Sequence, residues 1–221
     1  MEKVIKLLAK YYPVYLSGLW GTLWISAVTV LSGALLGMLV ALMRMSRSKP
    51  LNGIAGAYVE ILRGTPILLQ LYFFWIGLPK LVPFELSDTQ CIVAALAVNA
   101  SAFISEIIRA GIAAVDKGQW EAARSIGLSE SHMMTHVILP QAVRNILPAM
   151  CNEFVTIIKE TSILGMVGIV ELMFRAQSIA KQTYIFLEPY VIAAIVYFII
   201  VFPLSKIIAA VERRMSKSVT R

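Results

Sequence analysis

Residues 16–43, LSGLWGTLWISAVTVLSGALLGMLVALM, contain no charged side chain, and none occurs between Lys10 and Arg44. A helix that crosses the hydrocarbon core of a bilayer needs about 20 mostly apolar residues, which satisfy their backbone hydrogen bonds within the helix. The stretch therefore predicts a spanning helix that crosses with some tilt. Because the rest of the chain shows the same kind of apolar stretch, we expect an all-α integral membrane protein.

The composition supports a membrane protein. Of the 221 residues, 58% are hydrophobic and 15% are charged, whereas about a quarter is charged in soluble domains. The net charge is +7, but the Lys and Arg residues are scattered singly, so we expect no nucleic-acid partner. Cys91 and Cys151 lie in apolar segments, and His132 and His136 have no third ligand nearby, so no metal site is predicted.

Four further stretches bring the predicted spans to five, within a transmembrane domain at residues 16–211. The second span, residues 54–78, is interrupted by Glu60, Arg63 and then Gly64-Thr65-Pro66. The third, residues 87–114, begins at Ser87, where Ser-Asp-Thr-Gln has the spacing of a capping box. The fourth and fifth cover residues 143–170 and 188–211.

The chain termini and the flanking charges predict an orientation. Residues 1–15 are interpreted as an amphipathic surface helix rather than a signal peptide, because Lys10 interrupts the apolar run and no small-residue cleavage site follows. An external N-terminus and a cytoplasmic C-terminal tail at residues 212–221 place most flanking Lys and Arg side chains inside. The long polar connection at about residues 115–140 is then cytoplasmic.

This cytoplasmic connection predicts two helices joined by a sharp bend. Residues 119–126 form the first helix, Gly127 ends it in the left-handed conformation, and Ser129 caps a second helix with Glu130 in its first turn. Ala122 and Ala123 would leave a small-residue surface that another protein can approach closely. Composition alone also fits a solvated loop that merely connects two spans.

Four motifs resemble a known family. The spacing of Glu121-Ala122-Ala123, Gly127 and Ile138-Leu139-Pro140 resembles the Glu-Ala-Ala loop of ATP-binding-cassette (ABC) importer permeases. Three further motifs resemble the polar amino-acid uptake branch of that family, which includes histidine, arginine and glutamine permeases. They are Arg63-Gly64-Thr65-Pro66 with Gln70, the stretch from Ser105 to Gly111, and Lys159-Glu160-Thr161-Ser162. The resemblance extends from about Gly18 to Val211.

The resemblance implies a type I ABC importer permease fold with five transmembrane helices, in the bacterial plasma (inner) membrane. The partners it implies are ATP-binding cassette ATPase subunits, an identical or homologous permease subunit, an extracytoplasmic solute-binding protein, an amino-acid substrate and membrane lipid. The residues it assigns to ATPase coupling are Glu121, Ala122, Ala123, Arg124 and Gly127.

Independently of the resemblance, the chain has no Gly-rich phosphate loop ending in Gly-Lys-Ser/Thr. We therefore expect that this subunit is not itself an enzyme and binds no cofactor. ATP and Mg would be held by a separate ATPase subunit, which would carry out the hydrolysis.

The fourth predicted span is unusually polar. Glu153, Thr156 and Glu160 have i, i+3, i+7 spacing, so one helix face carries two carboxylates and a hydroxyl. Charges inside a bilayer are costly and usually face a cavity, which makes Glu153 the candidate group for a cationic substrate. The alternative is that these charges pair with Arg63, Arg109 or Arg144 of neighbouring spans and hold the bundle together. We expect pairing for Glu160, beside Lys159, and for Glu106 with Arg109, at i, i+3 of the third span.

The interrupted second span offers a complementary feature. Thr65, between Gly64 and Pro66, is predicted to cap a new helix near the middle of the membrane, where backbone amides would accept a substrate carboxylate. An ordinary proline kink is the alternative. Together with Glu153 this suggests a basic amino acid: arginine, lysine or histidine. The residues predicted to bind substrate are Glu153, Thr65, Asn152, Thr156 and Asn99.

The sequence also fits two rival functions. One is a stand-alone secondary amino-acid transporter or channel driven by an ion gradient through Glu106 and Glu153, which needs no docking loop. The other is a membrane scaffold that anchors a cytoplasmic partner. The polar face of the fourth span argues against the scaffold, because an anchor gains nothing from buried charge.

Overall fold

The computed structural model describes residues 2–217, and the regular secondary structure within this range is helical. The α-helices are α1 (Glu2–Arg44), α2 (Lys49–Gly64), α3 (Ile67–Tyr72), α4 (Leu78–Leu81), α5 (Asp88–Ala113), α6 (Lys117–Ser125), α7 (Glu130–Met133), α8 (Leu139–Glu160), α9 (Leu172–Thr183) and α10 (Leu187–Lys217). Two π-helical turns, Phe73–Gly77 and Met134–Ile138, and a 3-10 helix, Thr161–Val167, connect some of them.

The predicted all-α membrane fold is confirmed. Helices α1, α5 and α10 are long and apolar enough to span a bilayer, and α2 with the α3–α4 segment counts as a fourth span that is bent by 108°. Helix α8 corresponds to the remaining predicted span. Its 22 residues extend about 33 Å, enough to cross the hydrocarbon core, but its polar residues set it apart from the apolar spans.

The predicted surface helix at residues 1–15 is not separated from the first span. Helix α1 runs without a break through both segments and contains Pro13. Tyr15 is buried, and its hydroxyl donates to the Pro189 carbonyl at 3.1 Å, which fixes the first part of α1 beside the start of α10. Of the predicted tail, residues 212–217 continue α10, and positions 218–221 lie outside the described residues.

Helices α1 and α5 form the centre of the bundle. A Cβ atom at Gly33 would lie 2.9 Å from the Ala100 Cβ atom, and one at Gly37 would lie 2.8 Å from Ile104 Cγ2. Small residues at such positions let two helix backbones approach closely where lipid offers no hydrophobic driving force. These glycines of α1 therefore set the distance between α1 and α5.

The connection at residues 115–140 lies at the same end of the bundle as the C-terminal end of α10. A cavity joins Ala114 to Glu212 and Met215, and Arg47 after α1 pairs with Glu130 of α7 at 2.5 Å. The N-terminal end of α1 lies beside the start of α10, at the other end. This is the relative arrangement that the flanking charges predict.

Candidate functional site

Helix α8 carries a polar stripe, which we define as Asn145, Asn152, Glu153, Thr156, Lys159 and Glu160. The exposed members are Asn145, Asn152 and Lys159, which follow one another at seven-residue spacing. The half-buried members beside them are Glu153, Thr156 and Glu160. On the opposite face Val155 and Ile158 are buried. The helix is therefore held in the bundle by its apolar face, and the polar stripe is only partly covered.

Two cavities lie at opposite ends of the polar stripe. One, of about 530 Å³, is lined by Asn145 and Asn152 together with Glu212 of α10. The other, of about 310 Å³, is lined by Glu160 and by Gln177 of α9. Glu153 and Thr156 lie between the two groups along the helix. The stripe thus forms a polar route along most of α8.

The carboxylates of the polar stripe have no salt bridge in the part of the chain that the structure describes. Glu106 accounts for the ion pairs between α1, α2 and α5, and within residues 2–217 neither Glu153 nor Glu160 has a cationic nitrogen within 4.0 Å. The salt bridge expected for Glu160 is therefore not formed within these residues. Consecutive residues of a helix point about 100° apart, so Lys159 and Glu160 do not face each other.

The predicted pair between Glu106 and Arg109 is confirmed, since Arg109 Nη2 lies 2.7 Å from Glu106 Oε2. Arg44 and Arg63 add distances of 3.5 and 3.9 Å to the same carboxylate. Glu106 is thus surrounded by guanidinium groups. Glu106 is therefore engaged in ion pairs within the bundle, which removes the support for an ion-gradient mechanism through a lone carboxylate at this position.

The break between α2 and α3 corrects the role predicted for Thr65. The N-cap of α3 is Pro66, without a side-chain cap, and the Thr65 hydroxyl instead donates to the Ile61 carbonyl at 2.8 Å. The hydroxyl oxygen also accepts from Gln70 Nε2 at 2.8 Å. Because the hydroxyl turns back to α2, it does not cap a new helix for a substrate carboxylate.

Asn99 belongs to the same set of contacts. Its Nδ2 donates to Gln70 Oε1 at 2.9 Å, and Gln70 Nε2 also donates to the Leu62 carbonyl at 2.7 Å. Both side chains are buried. Gln70 therefore joins the end of α2, the start of α3 and the middle of α5. Gln70 is part of the sequence motif, but its hydrogen bond with Asn99 could not be predicted because Asn99 lies on a different helix.

The helix, bend and helix predicted for the polar connection are confirmed. Asp116 caps α6 by accepting from the Gly118 amide at 2.8 Å. At the other end Gly127 has φ +77°, its amide donates to the Arg124 carbonyl, and the Leu128 amide donates to the Ala123 carbonyl. These two bonds form the Schellman motif that ends a helix at a left-handed residue. Ser129 then caps α7.

The outward surface of α6 differs from the predicted one. Ala123 is only 3% exposed and packs in a cluster with Met133 and Ile138, so it faces the protein's own interior. Ala122 remains exposed, and Ile126 is 77% exposed. We call the exposed residues the coupling surface. They are Glu121, Ala122, Arg124 and Ile126.

Glu171 is a buried polar residue that was not predicted from the sequence. Its side chain is fully buried and accepts from the Met173 amide at 2.7 Å, from the Phe174 amide and from the Tyr197 hydroxyl at 3.0 Å. The Leu172 amide beside it donates to the Thr22 hydroxyl at 3.2 Å. The carboxylate therefore caps α9 and ties it to α10, next to α1. An acidic residue within the apolar stretch 163–174 was the available signal.

Relatives of known name match nearly the whole chain. The arginine transport system permease protein ArtQ of Bacillus subtilis (strain 168) is 42% identical over 93% of this chain and 94% of its own length. The probable glutamine ABC transporter permease protein GlnM of the same organism is 38% identical over 97% and 99%. The L-cystine transport system permease protein TcyB, also from that strain, is 36% identical over 96% and 90%.

A solved structure described as an amino acid ABC transporter with histidines has a chain that is 44% identical, with a TM-score of 0.89 over 94% of this chain and 96% of its own. A methionine ABC transporter in inward-facing conformations shares the fold, with a TM-score of 0.72 at 22% identity over 91% and 98%. Residues 33–217 match the family described as binding-protein-dependent transport system inner membrane component. The chain belongs to this family of ABC importer permeases.

Proposed function

We propose that the chain is the membrane subunit through which an ABC importer moves a polar amino acid, with a preference for cationic ones. Relatives carry the names of arginine, glutamine and cystine systems, so the names alone leave the charge of the substrate open. The observation that carries the preference is Glu153. It is half-buried in the polar stripe and has no salt bridge among the described residues. A partly desolvated carboxylate without a countercharge favours a cationic ligand.

The polar stripe supports a route along α8. A stripe of this polarity is costly against lipid, so it faces water or a second permease subunit. Asn152 and Thr156 are neutral hydrogen-bonding groups next to Glu153, suited to the polar backbone of an amino acid. Thr65 and Asn99 act indirectly in this proposal, because their bonds to Gln70 shape the break between α2 and α3.

The coupling surface supports a separate ATPase as the source of energy. It consists of the small residue Ala122, the charged residues Glu121 and Arg124, and the exposed Ile126. The other face of the helix packs against the protein through Ala123. We propose that the ATPase subunit docks here and binds ATP and Mg. A solute-binding protein delivers the substrate at the opposite, external end, where the chain's N-terminus lies. A stand-alone secondary transporter needs no such surface, and the family itself is named for its binding proteins.

The substrate assignment is tested with the complete transporter, including the ATPase and the binding protein, in proteoliposomes. Glu153→Gln keeps the size of the side chain and removes its charge. Loss of one partner of a buried charge pair costs about 2–5 kcal/mol, so we expect arginine transport affinity to fall by tens to thousands of fold. The exposed Glu85→Gln is the matched control, with unchanged uptake.

Uptake of a neutral amino acid is measured in parallel, so that a failure of the cationic preference can be distinguished from a failure of amino-acid transport as a whole. Unchanged arginine uptake by Glu153→Gln would contradict the cationic preference and leave amino-acid transport intact. If the wild-type complex takes up no amino acid in the presence of ATP, the wider proposal is wrong.

A further inference from the structure

Three arginines surround one carboxylate near the end of α5. We call this the arginine cluster: Arg44 of α1, Arg63 of α2, and Arg109 with Glu106 of α5. The guanidinium groups lie 3.5, 3.9 and 2.7 Å from the Glu106 carboxylate, which is 19% exposed, while Arg63 and Arg109 are both more than 40% exposed. The cluster is therefore buried on its carboxylate side and open on its arginine side.

The charges of the arginine cluster do not balance. Arginine is always protonated in proteins, so three positive charges face one negative charge. Glu60 on α2 is exposed and forms no ion pair with the cluster within residues 2–217, and Glu130 is engaged with Arg47. In addition, Nε of Arg44 is buried without a hydrogen-bond partner. The cluster thus keeps an excess of positive charge and unused donors.

The depth of the cluster favours a lipid as the source of the missing negative charge. The 26 residues of α5 extend about 39 Å, close to the thickness of a bilayer with its headgroups, and Glu106 lies about 10 Å before the end at Ala113. Arg109 lies about 6 Å before that end, and Arg44 is the last residue of α1. The long arginine side chains of the cluster therefore reach from Glu106 toward the headgroup region, where phospholipid phosphates lie. A free anion would have to leave bulk water to reach the same depth.

We propose that the arginine cluster binds the phosphate of an anionic phospholipid, such as phosphatidylglycerol, from the leaflet at this end of the bundle. Guanidinium groups match phosphate oxygens in two-point hydrogen bonds. Arg63 lies over the Phe103 ring at 5.4 Å, which holds its guanidinium at the open side of the cluster. The lipid would join the ends of α1, α2 and α5, next to the connection that carries the coupling surface.

Native mass spectrometry of the purified permease–ATPase complex tests the proposal, with phosphatidylglycerol and phosphatidylcholine as the probes. Arg63→Gln is the principal variant, because Arg63 is the arginine farthest from Glu106. A basic residue near a lipid surface contributes about 1 kcal/mol, so we expect about fivefold weaker retention of phosphatidylglycerol. The same loss of charge in Lys49→Gln, at the exposed start of α2, should leave retention unchanged.

Other outcomes distinguish the source of the charge. Retention that is equal in the wild type and in Arg63→Gln with Arg109→Gln overturns the proposal, as does a wild type that binds both lipids equally. Displacement of phosphatidylglycerol by excess inorganic phosphate would show a site for soluble anions instead.

Release of the ATPase by Arg63→Gln at unchanged lipid retention would show a protein contact. Arg63→Lys, which keeps the charge, should retain the lipid. The measurement needs no amino acid, so its failure leaves the proposed transport function untouched.

Discussion

Single buried polar side chains decide the geometry of the broken second span. The bend of 108° between α2 and α3 leaves backbone carbonyls at the break without helical partners. The side-chain amide of Gln70 donates hydrogen bonds to two of them, the carbonyls of Leu62 and Thr65. Sequence spacing predicted the break, because Gly64 and Pro66 are local signals. The partner Asn99 comes from a distant helix, so its contact with Gln70 depends on packing that spacing does not contain.

Asn99→Ala is therefore expected to destabilise the fold rather than to weaken substrate binding. It leaves the buried Gln70 Oε1 without its donor, which costs about 1–3 kcal/mol. Thermal unfolding of the purified chain in detergent measures the loss. The control is Asn152→Ala on the exposed side of the polar stripe, which should alter transport and leave the unfolding temperature unchanged. The reverse pattern would place Asn99 on the transport route.

Glu171 gives a second prediction at the scale of one residue. Glu171→Ala removes the acceptor for two amides of α9 and for the Tyr197 hydroxyl, all in a buried environment. We expect a loss of about 1–3 kcal/mol in the free energy of unfolding, since these donors stay buried without an acceptor. Glu85→Ala, in an exposed connection, is the control and should be neutral. Equal stability of the two variants would show that α9 is held by its apolar face alone.

At the scale of elements, helix α6 shows which features the sequence predicts and which depend on packing. Gly127 and Ser129 are local signals, and they predicted the end of α6 and the start of α7 closely. Helix α6 begins at Lys117, two residues before the predicted start. Both alanines of the Glu-Ala-Ala motif have the same local preference. Only the contact of α6 with Met133 and Ile138 determines that Ala123 faces inward and Ala122 outward.

The two alanines should respond in opposite ways to the same enlargement. Ala123→Leu forces extra volume into a packed cluster, which costs about 1–3 kcal/mol of stability. Ala122→Leu adds the same atoms to an exposed position, so the unfolding temperature should stay unchanged while the ATPase subunit is lost during co-purification. A stable Ala122→Leu variant that keeps its ATPase would contradict the docking role of the coupling surface.

Two glycines test how α1 packs. A Cβ atom at Gly21 would collide with the Val170 carbonyl, whereas one at Gly53 in α2 would meet nothing within 4 Å. Gly21→Ala is therefore expected to destabilise the chain, because α1 must move away from residues 170–172. Gly53→Ala should stabilise it by about 0.5–1 kcal/mol through the higher helix propensity of alanine. Equal shifts in unfolding temperature for both variants would contradict the close approach.

For the whole molecule, the apolar stretches predicted the helical membrane fold, the C-terminal end of α1 and both ends of α5 well. The long apolar stretches within these helices are a property of the sequence alone. Helix α8 was predicted as residues 143–170, but it begins at Leu139 and ends at Glu160, where a 3-10 helix follows. Its polar side chains share one helix face, as their spacing predicted. By contrast, residues 2–44 form one continuous helix, and the Tyr15 hydroxyl connects it to the start of α10. A local pattern does not report such a contact.

The orientation in the membrane gives the last prediction. Because α1 begins beside the start of α10, Lys3 lies at the opposite end of the bundle from Lys117 at the start of α6, and both are exposed. Lys3→Cys and Lys117→Cys, each made with the exposed Cys151 replaced by serine, report the two ends through a membrane-impermeant maleimide. In right-side-out vesicles Lys3→Cys should react at once and Lys117→Cys only after permeabilisation, since flanking positive charge favours the cytoplasmic side. The opposite result would reverse the orientation, and reaction of both in sealed vesicles would contradict the packing of α1 against α10.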